Sequence, residues 1–371
     1  MNMSLREVHR LCTRSLLASG LYAESVEAVA RTITHAERDG CQSHGLFRLP
    51  GYCNALRSRK ADCDARPVVT DAAAGAVRVD AADGLAPYAL EVGLPMLETK
   101  ARECGVATLA LTNIYHFSAL WHEVEALAER GLVGIAILNS KAFVVPHGSQ
   151  TGAASAMVYG TNPMAFAMPR PQGLPPLVWD QASSAMARGE ISMYQQAGLT
   201  LPPGCAVDLH GKPTTDPSAA LDGAQLTFAQ HKGSAIAMMV ELLSGGLTGG
   251  DFSFDARDRC PDEWSATPTR NSELLIALDP ATVGGLGEAA VLAHCERLYE
   301  RVLSTEGTQL PSTGRHCGQD RLVVRAQSEA DGVTIPTALV EECEQLCEDA
   351  GLITNPFFPG GVDPADMLRT T

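Results

Sequence analysis

Positive charge is scarce in this chain. Across 371 residues, 28 Lys and Arg face 43 Asp and Glu, a formal net charge of −15. Such a surface repels a phosphate backbone, which argues against nucleic acid as a partner. An anionic small molecule would need a local cation to override that field. Aromatic residues make up only 5%. Ala and Gly are abundant instead, so close backbone packing is expected. No run of eighteen apolar residues occurs, so no membrane-spanning helix and no membrane partner are expected. The opening MNMSLREVHRLCTRSLLASG carries charge throughout and does not read as a signal peptide. The eleven cysteines contain no CxxC pair, and no other ligand types accompany Cys343 and Cys347 at zinc spacing. The expectation is no metal site, and reduced thiols in a cytoplasmic protein. A P-loop, an internal repeat and a low-complexity tract are likewise absent.

What is present reads as a globular chain. The length suits two domains or one large one, and 45% hydrophobic residues supply a core. Ser4 with Glu7 forms a capping-box pattern ahead of Leu5, Val8, Cys12 and Leu16 at helical spacing, with Gly20 as the stop. A second helix is expected from Glu24 to Arg38, ended by Gly40. CQSHGLFRLPGY at 41–52 reads as a turn, followed by a short helix from Tyr52 to Lys60. Strands are expected at Ala76–Val79, Val106–Thr112, Leu132–Leu138, Met164–Met168, Leu177–Trp179 and Glu273–Leu278. Helices at Tyr88–Cys104 and Ala119–Arg130 alternate with them, which implies a covered α/β sheet. Residues 198–218 read as a long loop or a domain crossing, and Ser234–Leu247 as a buried helix. The tail from Glu288 to Ala350 reads as mainly helical, with a short strand at Leu322–Arg325. The domain boundaries that follow are 1–72 (helical), 73–215 (α/β, cofactor-binding) and 216–371 (helical, with the strand near 273–279 joining the sheet).

Several segments could carry chemistry. Gly285-Leu-Gly287-Glu-Ala-Ala290 matches GxGxxA, but Pro280 and five other residues part it from the preceding strand. A dinucleotide fingerprint opens its helix directly after the strand, so a plain connection is the better reading. Ser43, His44 and Arg48 form the strongest local constellation. An imidazole exchanges protons near neutrality, and a neighbouring hydroxyl fixes its tautomer. Arg48, four residues on, can grip a carboxylate with a bidentate fork. Taken alone, the pattern is more often that of a capped loop with a surface Arg. NIYHFSAL (113–120) follows a buried strand and precedes a helix, where ligands of open α/β sheets gather; Ser118 could also just cap that helix. His231-Lys232-Gly233 precedes an apolar helix and could meet phosphate, or be solvated. Thr161-Asn162-Pro163, Asp180 and Glu190 complete the candidates.

SHGLFRLPGY at 43–52 resembles the signature of the malate/L-lactate dehydrogenase-type oxidoreductases. The resemblance continues in order through HFSAL (116–120), NSKAFVVPHG (139–148), YGTNP (159–163), HKG (231–233) and MMVELLSGGLTGG (238–250). It implies an α/β (α+β) fold: a non-Rossmann NAD(P)-binding sheet domain packed on a mostly helical domain built from both chain ends. HFSALW with EVEALAERGLV and VVPHG is most similar to the Δ1-piperideine-2-carboxylate/Δ1-pyrroline-2-carboxylate reductases within that family. The resemblance implies His44 as proton donor, oriented by Ser43 and Glu190, the latter where close relatives carry Asp. It implies Arg48 and Thr161 as substrate-binding residues. NADPH, with NADH as the alternative, would be lined by His116, Phe117, Ser118, Ala119, Leu120, Asp180, Gln181, Ala182, His231 and Lys232. The loop Gln309, Leu310, Pro311, Ser312, Thr313, Gly314 and Arg315 would also reach it. A homodimer is implied too. The chain departs from the family pattern at AQHKG, at QLPSTGR and in an insertion at Gly152–Met157. These departures bear on cofactor preference and substrate.

The reaction so implied is reduction of a cyclic imino acid to L-proline or L-pipecolate. Three alternatives stay open at this point. One is a 2-keto acid (malate- or lactate-type) dehydrogenase, in which the same His protonates a carbonyl oxygen. The second is a non-catalytic ligand-binding relative. The third is a buried, purely structural His44.

Overall fold

The computed structural model describes residues 1–116, 118–149, 156–171, 173–260, 267–308 and 318–349. The chain opens with a two-residue strand, β1 (Asn2–Met3), then α1 (Leu5–Ala18) and α2 (Ala23–Arg38), which pack together. The capping box forms: the Glu7 N–H donates to Ser4 Oγ (3.2 Å), and the Ser4 N–H donates to Glu7 Oε2 (2.7 Å). Two single-turn 3-10 helices follow at Gln42–His44 and Leu46–Arg48, then α3 (Leu49–Arg57). The third helix thus begins three residues before the expected Tyr52, because Pro50 in its first turn suits a helix start.

A seven-stranded sheet forms the centre, in the order β2-β3-β4-β11-β5-β6-β7. Its strands are β2 (Val68–Ala73), β3 (Ala76–Asp80), β4 (Val106–Ile114), β5 (Val133–Leu138), β6 (Met164–Met168), β7 (Leu177–Gln181) and, far later in the chain, β11 (Asn271–Leu278). Strands β3 and β4 are parallel, crossed by α4 (Ala86–Cys104); every other neighbouring pair is antiparallel. This is not the parallel sheet of a Rossmann domain. Helices α4 and α5 (Trp121–Glu129) cover it. Leu97, Leu109, Leu111, Trp121, Val124 and Leu275 are all fully buried between these layers. Each such Leu contributes about 1.5–3 kcal/mol by leaving water.

Beyond β7 come α6 (Arg188–Gln196), the short strands β8 (Ala206–Val207) and β9 (Pro213–Thr214), α7 (Pro217–Asp222) and β10 (Ala224–Gln225). The three short strands pair in the order β10-β8-β9, so 198–218 is not one long loop. Helix α8 (His231–Val240) runs on into a π-helical turn, Glu241–Gly246. It is not the buried helix expected there: Met238, Leu242 and Leu247 are 52%, 57% and 68% exposed. Its inner face is held by Ala237 and Val240, and the outer apolar face is left to solvent.

Helices α9 (Ser253–Arg259), α10 (Pro280–Gly284), α11 (Glu288–Leu303), α12 (Gly318–Asp331), the strand β12 (Val333–Thr334) and α13 (Thr337–Asp349) complete the described chain. Strand β12 pairs with β1, and the Met1 ammonium donates to the Ile335 carbonyl at 2.8 Å. Val8, Leu16, Ile33, Leu49 and Tyr52 share one core with Val340 and Cys343, so both chain ends build the same layer. The strand expected at Leu322–Arg325 is absent, and α12 runs through it. Arg321 and Arg325, four apart, must reach the same two carboxylates. Arg321 donates to Asp39 (3.1 Å) and Glu125 (2.6 Å), and Arg325 to Asp39 (2.8 Å) and Glu125 (2.9 Å). A helix brings residues four apart to about 6 Å on one face, whereas a strand would hold them about 13 Å apart. Of the insertion, 152–155 lie outside the described residues, while Ala156 and Met157 are buried. Gly285 and Gly287 lie between α10 and α11 as a simple connection with positive φ, 66° and 78°. Among the described residues, no helix is long and apolar enough to cross a membrane.

Candidate active site

The turn at 41–48 is shaped by a carboxylate beneath it. Glu37, near the end of α2, is 4% exposed and accepts the Leu46 N–H at 2.6 Å. A Cβ at Gly45 would stand well inside 3.0 Å of Glu37 Oε1, so only glycine lets the turn close over that group. Burial pushes the Glu37 pKa up to about 7. The two 3-10 turns then carry Ser43, His44 and Arg48.

His44 Nδ1 lies 3.1 Å from Ser43 Oγ and 3.6 Å from Cys41 Sγ. Both neighbours can donate to Nδ1, a pattern that leaves the proton of a neutral ring on Nε2. Little of the ring reaches solvent. Burial pulls its pKa down to about 3, and the charges of Arg48 and His116 act in the same direction. Without a ligand the ring is therefore a neutral imidazole at pH 7. Cys41, which the sequence reading passed over, is held as a thiol: burial raises its pKa to about 12, with the Asp180 charge adding to it.

Arg48 rests on bare backbone. A Cβ at Gly189 would come well inside 3.0 Å of Arg48 Nη2. Gly189 belongs to the first turn of α6, which packs on the 42–44 turn and also carries the half-buried Glu190. The Glu190 charge is felt by Cys205; the neighbours of His44 Nδ1 are Ser43 and Cys41.

The remaining candidates gather along three adjoining strips. The Trp121 N–H donates to Asp180 Oδ2 at 3.3 Å, so Asp180 caps α5 and joins the strip ending at Ala119 and Leu120 to β7. Ser118 does not cap that helix; its Oγ lies 3.4 Å from His116 Nε2. Burial raises the Asp180 pKa to about 6. Gln181 is exposed and Ala182 half-buried. The next residues pair with the strip leading to α8: the Ala185 N–H donates to the Leu226 carbonyl (2.8 Å), and the Phe228 N–H to the Ser183 carbonyl (3.1 Å). His231 and Lys232 are exposed at the start of α8, and the His147 ring lies 6.2 Å from that of His231. Thr161 adjoins the middle strip through the Ser183 N–H, which donates to its carbonyl at 2.8 Å. Phe117 and Gln309–Arg315 lie outside the described residues.

Sequence reasoning missed the group that holds Thr161. Ser140 Oγ accepts the Thr161 N–H at 3.1 Å and lies 3.3 Å from its hydroxyl. Asn162, with φ +44°, donates through its side-chain amide to Glu241 Oε1 at 2.7 Å. The Ser253 N–H donates to Glu241 Oε2 at 3.0 Å, and the Asn139 amide to the same oxygen at 3.4 Å. One buried carboxylate, on the π-helical turn, thus ties three loops together. A π-turn inside an apolar run marks such sites, but no spacing rule announces one.

Comparison with known proteins agrees with this arrangement. The family model described as malate/L-lactate dehydrogenase matches residues 3–344. A Δ1-pyrroline-2-carboxylate/Δ1-piperideine-2-carboxylate reductase of Pseudomonas aeruginosa is 46% identical over 346 residues, 93% of this chain and 99% of that one. A Δ1-pyrroline-2-carboxylate reductase of Ancylobacter novellus is 42% identical over 344 residues, covering 93% and 97%. The crystal structure of the Δ1-piperideine-2-carboxylate reductase from Pseudomonas syringae pv. tomato superposes with a TM-score of 0.84 at 40% identity, covering 93% and 99%. With an antiparallel-rich sheet, a histidine–serine turn and full-length matches of this kind, the chain belongs to the malate/L-lactate dehydrogenase family of oxidoreductases.

Proposed function

We propose that this protein reduces Δ1-pyrroline-2-carboxylate and Δ1-piperideine-2-carboxylate to L-proline and L-pipecolate with NADPH. The observation that carries the reading is the 41–48 turn, where a serine-held imidazole lies within reach of the charge of a guanidinium. The names of the relatives point the same way: those compared above act on cyclic imino acids.

A dinucleotide needs cationic groups for its phosphates, and this chain is strongly acidic overall. His231, Lys232 and His147 collect where α8 begins, which fits the diphosphate end. The 118–120 and 180–182 strips would hold the other end. When bound, the nicotinamide supplies the hydride that adds to C2 of the substrate. Arg48 grips the substrate carboxylate and fixes the orientation of C2. That carboxylate also offsets the Arg48 charge, so the affinity of His44 for a proton rises. In that complex His44 takes up a proton from solvent and passes it to the ring nitrogen as C=N becomes CH–NH. General acid help of this kind supplies roughly 10²–10⁴-fold. Ser43 and Cys41 hold the ring; Glu190, on the facing turn, is the acidic partner we assign to the pair. Thr161, held by Ser140, completes the substrate pocket.

The exposed apolar face at Met238, Leu242 and Leu247 suits the contact of a homodimer. All ten described cysteines are free thiols, in keeping with a cytoplasmic protein. The test of function is NADPH and NADH oxidation with both cyclic imino acids, set beside pyruvate and oxaloacetate. Preferred turnover of a keto acid would assign the protein to the 2-hydroxy acid dehydrogenases instead.

A further inference from the structure

Beneath the cofactor-side loop, three donor atoms converge in the core. His116 follows β4, Glu123 stands on the first turn of α5, and Glu273 lies on the central strand β11. His116 Nε2 is 3.4 Å from Glu123 Oε1 and 3.7 Å from Glu273 Oε2. One ligand atom from each residue lies within 4.8 Å of the other two. The three side chains are 2%, 4% and 0% exposed. Both oxygens of Glu273, and Oε2 of Glu123, have no hydrogen-bond partner. A buried carboxylate left in that state costs several kcal/mol unless something neutralises it.

Two kinds of neutraliser differ in geometry. A proton shared between a buried acid and its neighbour needs a short contact, roughly 2.5–2.7 Å between oxygens or 2.7–2.9 Å from nitrogen to oxygen. No such contact is present: the orphaned oxygens make none, and the imidazole distances are longer. Those longer distances match the edges of a coordination shell instead. Ligands about 2.1 Å from a tetrahedral ion stand roughly 3.4 Å apart. Two carboxylates, a neutral imidazole and a divalent cation also sum to zero charge.

We propose that His116, Glu123 and Glu273 bind one divalent transition-metal ion of the zinc type. The ion is structural. It ties the loop after β4 to α5 and β11, and so fixes the entrance to residues 118–120. The site is independent of which substrate the enzyme reduces.

The test uses the full-length protein unfolded and refolded in chelator, then refolded with Zn2+ as probe. Metal analysis should give one equivalent per chain, thermal stability should rise with Zn2+, and Co2+ should produce the visible d–d bands of a low-symmetry site. Glu273→Gln and Glu123→Gln should each lose the equivalent and the bands, while Glu306→Gln, an exposed control, should keep both. Circular dichroism establishes that the variants fold. Sub-stoichiometric metal in folded wild type would overturn the proposal. So would full retention by folded Glu273→Gln and Glu123→Gln. A carboxylic-acid C=O stretch in the wild type refolded with Zn2+, absent from Glu273→Gln, would assign the charge balance to a proton and also reject the ion.

Discussion

The guanidinium of Arg48 lies directly against the bare backbone of Gly189, with no room for a Cβ between them. Arg48, to which we assign the substrate carboxylate, and the α6 turn are therefore fitted to each other. Gly189→Ala should push Arg48 out of line without unfolding α6, since alanine favours a helix more than glycine does. We expect KM for the cyclic imino acid to rise roughly tenfold, equivalent to about 1.4 kcal/mol, with a smaller change in kcat. Steady-state kinetics checks this; an unchanged KM would remove Arg48 from the carboxylate site.

His44→Gln should lower kcat by roughly 10²–10⁴ while leaving NAD(P)H binding intact. The pH dependence has a definite sign. The folded-state pKa of about 3 lies below the ordinary 6.5. Between those values the unfolded chain binds a proton that the folded chain does not, so this residue's contribution to stability falls as pH drops from 6.5 toward 3. The Gln variant should lose less stability than the wild type over that window. By NMR, the His44 ring should stay neutral through pH 5–8 in the free enzyme. A ring carboxylate such as pyrrole-2-carboxylate, placed against Arg48, should raise its pKa.

Glu37 and Gly45 offer a test of the turn itself. Gly45→Ala forces a methyl group into the Glu37 carboxylate and should cost about 1–3 kcal/mol, measured by denaturant unfolding, together with a fall in kcat. Glu37→Gln keeps an acceptor for the Leu46 N–H. Because the folded pKa of Glu37 is raised from 4.5 to about 7, the wild type loses stability as pH rises across that interval. The Gln variant should gain relative to it in the same interval. A parallel pH profile for both proteins would show that Glu37 is not titrating there.

Glu241→Ala leaves the Asn162 amide and the Ser253 N–H without their acceptor. It should destabilise the fold by more than about 2 kcal/mol, since hydrogen bonds to a charged group are the stronger kind. The Thr161 loop should loosen with it, seen as faster amide exchange at 160–162 and a higher KM. Glu241→Gln should restore part of both. Equal effects from Ala and Gln would mean that the charge, rather than the acceptor geometry, holds the loops.

Much of the architecture was legible because it is local. The capping box at Ser4 and Glu7 and the apolar runs that became β4, β5 and β6 follow from short-range periodicity. So did the recognition turn, because Ser43, His44, Gly45 and Arg48 are near neighbours in the chain. Where sequence reasoning failed, distant partners had prevailed. Leu322-Val323-Val324-Arg325 has the composition of a strand. It is helical because Arg321 and Arg325 must both reach Asp39 and Glu125, carboxylates on other helices. The run 234–247 is apolar but keeps one face open, which composition cannot signal.

The sequence by itself determined the first two helices, the strands β4, β5 and β6 and the turn at 41–48, since each is set by residues a few positions apart. Only the tertiary structure decided that Arg48 meets Gly189, that Glu241 gathers three loops, and that His116, Glu123 and Glu273 converge in the core. The reason is physical: burial and charge are properties of where chains meet, and the strand that carries Glu273 joins the sheet between β4 and β5 from far along the chain.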